Sequence, residues 1–195
     1  MDSGSFATDV LPGPRGFPSQ AALRALKLVV FDVDGVLTDG RIILNDRGEQ
    51  SKFFNVRDGA GISLLQSGGI MAGILTGRQS TVVDVRAKEL KIPSERVKQG
   101  AKVKLPVFQS WLKELKLEPH EVAFVGDDLI DLPVLQAVGV ACCPADAYSD
   151  VTRVSQVVST RQGGHGAVRS ICEFLLKARG DGSWERGVDI YLGRA

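Results

Sequence analysis

The feature that most constrains the fold is the run Leu28-Val29-Val30-Phe31-Asp32-Val33-Asp34-Gly35-Val36-Leu37-Thr38-Asp39-Gly40. Its apolar, β-branched opening reads as a buried strand, and two carboxylates stand two residues apart where that strand stops. In open α/β sheets, ligands bind beyond the carboxyl ends of the strands. Alternate side chains of an extended chain point to opposite faces. Asp32 and Asp34 can therefore project alike only if the backbone turns there, and Gly35 permits that turn. One acid could then attack as a nucleophile while the other stays within proton-transfer reach of a leaving group. An isolated Asp-x-Asp is common at turns for local reasons; here three later segments supply what the chemistry still lacks.

Each of those segments follows a strand-like run. Ile70 to Leu75 leads into Thr76-Gly77-Arg78, and Thr81 to Leu90 then has helical spacing until Pro93. Arg96 to Lys98 precedes a helix beginning near Lys102, with Val103, Val107, Trp111, Leu112 and Leu115 on one face and Pro106 in the first turn. Val122 to Val125 ends at Gly126-Asp127-Asp128-Leu129-Ile130-Asp131. Further strands are expected at Val138 to Cys142 and Val154 to Val158, and a closing amphipathic helix at Ala167 to Ala178. Arg41 to Leu44 and Gln50 to Phe54 read as a hairpin turning over Asn45-Asp46-Arg47-Gly48 and hanging over the site.

This alternation predicts an α/β fold: a Rossmann-like parallel sheet covered by helices on both faces, with a β-hairpin after the first strand and no large cap domain. A chain of 195 residues with 44% hydrophobic content suits one domain. The expected division is a mobile leader over residues 1–22, the catalytic domain over 23–179 and a tail over 180–195 that carries Trp184, Ile190 and Tyr191. Net charge of +1 argues against nucleic acid or an anionic membrane as partner and for a small molecule. No apolar run approaches the roughly 18 to 20 residues needed to span a bilayer. Cys142, Cys143 and Cys172 lack metal-ligand spacing and read as reduced core thiols, which points to the cytoplasm.

The strand ends together offer Asp32 and Asp34, then Thr76, then Lys102 or Lys104, then Asp127, Asp128 and Asp131. Phosphoryl transfer explains such a set. A carboxylate can form an acyl phosphate, Mg²⁺ prefers carboxylate and carbonyl oxygens and neutralises the repulsion between two anions, and a hydroxyl with an ammonium can clamp the phosphoryl oxygens. Three acids around one Mg²⁺ would crowd its six positions, so Asp128 and Asp131 are expected to orient Asp127, its waters or the lysine.

Asp32-Val33-Asp34-Gly35-Val36-Leu37-Thr38, Thr76-Gly77-Arg78, the lysine segment and Gly126 to Asp131 resemble, in order and spacing, the four motifs of the haloacid dehalogenase superfamily. Within it, Asn55-Val56-Arg57-Asp58-Gly59, Gln99-Gly100, Gly126 to Pro133 and Gly163-Gly164-His165-Gly166-Ala167-Val168-Arg169 resemble the capless 3-deoxy-D-manno-octulosonate 8-phosphate phosphatases. The likeness runs from about Leu26 to Ala178. It implies that Asp32 is the nucleophile and Asp34 the general acid and base. Mg²⁺ would be held by Asp32, the backbone carbonyl of Asp34, and Asp127. Thr76 and a lysine would bind the phosphoryl group, and the lysine's place after Gln99-Gly100 selects Lys104 over Lys102. Contacts to the phosphorylated sugar acid would map onto Asn55, Val56, Arg57, Asp58, Gly59, Gly77, Arg78 and Arg86, with His165 a further candidate.

Ser63, His165 and Ser170 depart from the residues the family often has, which bears on substrate contacts and leaves the core chemistry untouched. The resemblance also implies a homotetramer in which neighbours and C-terminal tails cover open sites. Competing readings are a nine-carbon sugar-acid 9-phosphate as substrate, a phospho-Asp receiver module, and a silent scaffold. Asp34 argues against a long-lived aspartyl phosphate, and the retained acids and lysine argue against a scaffold.

Overall fold

Strand β2 (Leu28–Phe31) runs through the middle of the sheet, and all four of its residues are fully buried. It pairs in parallel with β5 (Met71–Leu75) on one side and with β7 (Val122–Val125) on the other. Beyond β5 lies β6 (Val97–Lys98). Beyond β7 lie β8 (Val140–Cys143), β9 (Val157–Ser159) and β1 (Val10–Pro12). The computed structural model describes residues 9–47 and 50–194; the expected leader up to residue 8, the hairpin tip at Gly48 and Ala195 lie outside the described residues.

Alternation in the strands divides the core in two. Val29, Phe31, Ile74, Ala123, Val125 and Cys142 face one layer built by α1 (Gln20–Ala25), α2 (Val56–Ser67), α3 (Thr81–Glu89) and α7 (Ala167–Ala178). Leu28, Val30, Leu75, Phe124, Ala141 and Cys143 face the other, built by α4 (Lys104–Leu115), α5 (Leu132–Leu135) and α6 (Ser149–Val154). Strands buried on both faces are continuous apolar runs for this reason, and each large side chain so covered contributes about 1.5–3 kcal/mol. Trp111 of α4 lies over β5, where a Cβ at Gly73 would come within 2.8 Å of its ring, and its indole N–H donates to the Glu95 carbonyl at 2.9 Å. The small residue makes room for the large one.

The expected α/β architecture is present, with β3 (Ile43–Leu44) and β4 (Gln50–Ser51) as a short hairpin and no cap domain among the described residues. Several boundaries differ. The expected leader is structured from Val10 onward: β1 pairs antiparallel with β9 at the sheet edge, and α1 packs Leu23 into the core. A three-residue strand ending in Pro has too little periodicity to be read locally, and Pro is tolerated there because the edge leaves one side unpaired. The expected tail contains α8 (Ser183–Tyr191), which lies against α2, with Trp184 and Val188 packed on the core and an Arg186 guanidinium N–H donating to the Gly68 carbonyl at 2.7 Å. On α4, Val103 is exposed and caps the helix, while Phe108 is buried on the core face. Helices α5 and α6, too short for a clear periodicity, were not expected.

Candidate active site

The sheet register sets the site. Phe31 lies opposite Ile74 and Val125, so the residues just past β2, β5 and β7 arrive together at one sheet edge. Asp32 is the first residue beyond β2, Thr76 the first beyond β5, and Asp127 the second beyond β7. Asp32 N–H still donates to the Val125 carbonyl at 3.0 Å, and Thr76 N–H to that of Lys98 at 3.0 Å. The turn after Asp32 depends on Gly35, which has φ of 92° and brings its own backbone against Asp127; a Cβ there would lie 2.0 Å from Asp127 Oδ2. Both the left-handed backbone and the close approach require glycine.

Lys104, the first residue of α4, is buried beneath these acids, with Nζ 2.9 Å from Asp32 Oδ2 and 2.6 Å from Asp131 Oδ1. Burial works against its ammonium, but the two carboxylates outweigh that and hold its pKa above the ordinary lysine value. Asp131 uses its other oxygen to accept N–H groups from Asp127 at 3.1 Å and Asp128 at 3.4 Å. It thereby fixes the loop that carries Asp127. Asp128 is exposed and caps the next turn, accepting from Leu129 N–H at 2.7 Å. Lys102 is exposed, so the structure brings Lys104, of the two lysines, into the site.

Two oxygens have no such partners. Among the described residues, Asp32 Oδ1 and Asp127 Oδ1 are buried without a hydrogen bond, and oxygens of Asp32, Asp127 and Asp131 lie within 4.8 Å of one another. Burial pushes Asp32 up to about 6, against the pull of Lys104. Burial and the neighbouring carboxylates push Asp127 up to about 8. Unpaired buried carboxylates are costly, and an oxygen-preferring divalent cation between Asp32 and Asp127 relieves that cost. The donor set fits Mg²⁺.

Asp34 is half-buried at the mouth. Its Oδ1 pairs with the Lys52 ammonium, and its Oδ2 lies 3.9 Å from Arg78 Nε. Lys52 was missed in the sequence; its alternation with Ser51 and Phe53, both exposed, within the run Gln50 to Phe54 expected as a strand was the available signal, although β4 itself ends at Ser51. Arg78 lies in the loop before α3, whereas Arg86 lies within that helix. Arg86 reaches Phe54, 5.6 Å from its ring centroid, and leaves no room for a Cβ at Gly59, which would meet its Nη2 at 2.4 Å.

Asn55 caps α2, accepting from Arg57 N–H at 2.8 Å, and its amide donates to the Gly164 carbonyl at 3.1 Å. Asp58 accepts from the N–H groups of Gly166 at 3.2 Å and Arg169 at 2.9 Å. Burial raises its pKa and these donors oppose the rise. Asp58 thus anchors the glycine-rich loop, one N–H on each carboxylate oxygen. The loop in turn packs on the acid turn: a Cβ at Gly163 would fall 1.8 Å from the Gly35 carbonyl oxygen. Val56, Arg57 and His165 are exposed, the last two lining a cavity of about 350 Å³ with Arg161 and Arg169. Gly77 adjoins Thr76 and lies near Ile130 and the Ala101 carbonyl.

A parallel sheet with this acid pair, buried lysine and third acid at its carboxyl edge defines a haloacid dehalogenase-type hydrolase. The family model described as haloacid dehalogenase-like hydrolase matches residues 53–139. The 3-deoxy-D-manno-octulosonate 8-phosphate phosphatase of Escherichia coli (strain B / BL21-DE3) is 40% identical over 178 residues, covering 91% of this chain and 94% of its own. That of Salmonella typhi is 41% identical over 165 residues, covering 85% and 87%. Among solved structures, the phosphatase of the same name from Moraxella catarrhalis, in complex with a magnesium ion, a phosphate ion and a KDO molecule, superposes with a TM-score of 0.82. It is 37% identical and covers 88% of this chain and 97% of that one. The chain belongs to the 3-deoxy-D-manno-octulosonate 8-phosphate phosphatase family of haloacid dehalogenase-like hydrolases.

Proposed function

We propose that this protein hydrolyses 3-deoxy-D-manno-octulosonate 8-phosphate to the free sugar acid and phosphate, with Asp32 forming an aspartyl phosphate. The observation that carries the reading is the state of Asp32: Oδ2 is held by Lys104 while Oδ1 is buried and, among the described residues, unpartnered, two residues before a second acid. Asp32 and Asp127 side chains with the Asp34 carbonyl would hold Mg²⁺, which supplies charge neutralisation between nucleophile and phosphoryl group.

Asp32 attacks phosphorus as the ester bond breaks, and Asp34 delivers its proton to the departing sugar oxygen. Asp34 then takes a proton from water as that water displaces Asp32. Thr76 and Lys104 bind the phosphoryl oxygens, and Lys104 balances charge on Asp32 in both steps. Arg78 and Arg86 offer guanidinium groups to the carboxylate and hydroxyls of the sugar acid, with Asn55, Val56, Arg57, Gly59, Gly77 and His165 completing that side of the site.

Homotetrameric assembly is the finer reading supported by Ile42, Leu44, Phe53 and Val56. These large apolar side chains are 56%, 59%, 65% and 81% exposed around the hairpin, an arrangement expected of a surface that meets another chain. Light scattering checks the mass. Three buried free thiols are in keeping with the cytoplasm, and no helix among the described residues is long and apolar enough to cross a membrane.

Phosphate release from a panel of sugar and sugar-acid phosphates, with Mg²⁺ and then with excess chelator, tests substrate and metal together. Chelator-sensitive turnover favouring the eight-carbon 8-phosphate in kcat/KM is the expected result. Preference for a nine-carbon 9-phosphate would move the substrate, and a stable phosphoprotein without turnover would overturn the reading.

A further inference from the structure

We infer that Lys52 is a positioning residue for Asp34, fixing which of its two oxygens exchanges the proton. The inference rests on the hydrolytic reading above. Lys52 leaves the end of β4 with its side chain only 2% exposed, and lysine is almost never so buried without a partner. Among the described residues, its ammonium pairs with Asp34 Oδ1. Its neighbours Ser51 and Phe53 are exposed, while Lys52, the first residue past β4, turns its side chain inward. Eighteen residues of chain separate the pair, and the β3–β4 hairpin closes that loop.

The consequence is an asymmetric carboxylate. With Oδ1 held by an ammonium, Oδ2 is the oxygen left towards the mouth, 3.9 Å from Arg78 Nε. In the first step the Oδ2–H bond breaks as the leaving oxygen gains that proton, the P–O ester bond breaks and the Asp32–phosphorus bond forms. In the second, water gives a proton to Oδ2 while its oxygen bonds phosphorus and the Asp32–phosphorus bond breaks. A carboxylate free to rotate would present either oxygen, and proton transfer tolerates little misplacement. The chain leaving the hairpin thus contributes a positioning group to the site.

The experiment compares wild type, Lys52→Met and Lys52→Arg on 3-deoxy-D-manno-octulosonate 8-phosphate and on p-nitrophenyl phosphate, with Mg²⁺ present. Nitrophenolate departs without a proton, so Lys52→Met should still release one equivalent in a rapid burst. On the sugar ester its kcat should fall about 100-fold, the scale of a displaced general acid, with KM unchanged. Lys52→Arg keeps a cation at Asp34 and should recover part of the loss. Equal falls in burst and sugar-ester rate, or a raised KM with kcat retained, would overturn the positioning role while wild-type turnover keeps the phosphatase reading. Absence of wild-type turnover on either ester would overturn both. Circular dichroism and melting of both variants confirm that the compared proteins are folded.

Discussion

Lys104 Nζ lies between two carboxylates, 2.6 Å from Asp131 Oδ1 and 2.9 Å from Asp32 Oδ2, with all three side chains buried. Asp131 holds the lysine with one oxygen and the Asp127 loop with the other. Removing one member leaves the others as uncompensated buried charge.

Asp131→Ala should lower stability by about 3–5 kcal/mol, the usual cost of breaking a buried ion pair. Denaturant unfolding reads that loss. Asp131→Asn, which keeps the shape and can still meet the two backbone N–H groups, should be better folded yet lower activity about 10–100-fold through misplaced Lys104 and Asp127.

Asp32→Asn should remove turnover by more than about a thousandfold, as loss of a covalent nucleophile does. The change is isosteric, so the circular dichroism spectrum should be unaltered. Acid-quenched phosphoprotein should disappear with it, and persistence of either signal would place the nucleophile elsewhere.

Without metal, stability should fall as pH rises. Asp32 and Asp127 have folded pKa values near about 6 and about 8, above the ordinary 3.8, so each binds its proton more tightly folded than unfolded. That contribution is fully present below about 3.8 and is lost as pH climbs through those two values. Melting in chelator from pH 5 to 9 should show the decline. Mg²⁺ should reverse it with an effect that grows with pH, because its ligands must be deprotonated. A flat apo profile would refute the arrangement.

Gly35→Ala should weaken both the fold and Mg²⁺ binding. The left-handed backbone costs a side chain about 1–2 kcal/mol, while its Cβ would displace Asp127 Oδ2 from 2.0 Å away. The Mg²⁺ concentration for half-maximal activity should rise at least about tenfold.

Deleting the chain after Arg179 removes α8 and uncovers the α2 surface where Gly187 approaches the Leu64 carbonyl, a Cβ there coming within 3.0 Å. Losing the packing of Trp184 and Val188 should cost about 3 kcal/mol. Thermal unfolding of the shortened chain checks it.

The chemistry at the strand ends was legible because strand, turn and acid are adjacent in sequence: β2 delivers Asp32, β5 delivers Thr76, and β7 delivers Asp127 within a residue or two. The parallel sheet was legible for a related reason, since strands buried on both faces must be apolar throughout. Short elements were not. β1, α5 and α6 offer too few residues to display a period, and their placement depends on neighbours far along the chain.

The sequence alone determined the alternation of apolar strands and amphipathic helices, the turn at Gly35, and the set of acids and lysines available for phosphoryl transfer, because each is a local pattern. Tertiary structure decided which of those groups meet. Register between β2, β5 and β7 converges Asp32, Thr76 and Asp127; the start of α4 buries Lys104 and leaves Lys102 in solvent; Asp58 turns to the glycine-rich loop; and the hairpin carries Lys52 to Asp34. Those pairings span tens of residues of chain, and only the packing of the sheet and its two helical layers brings their ends to hydrogen-bonding distance.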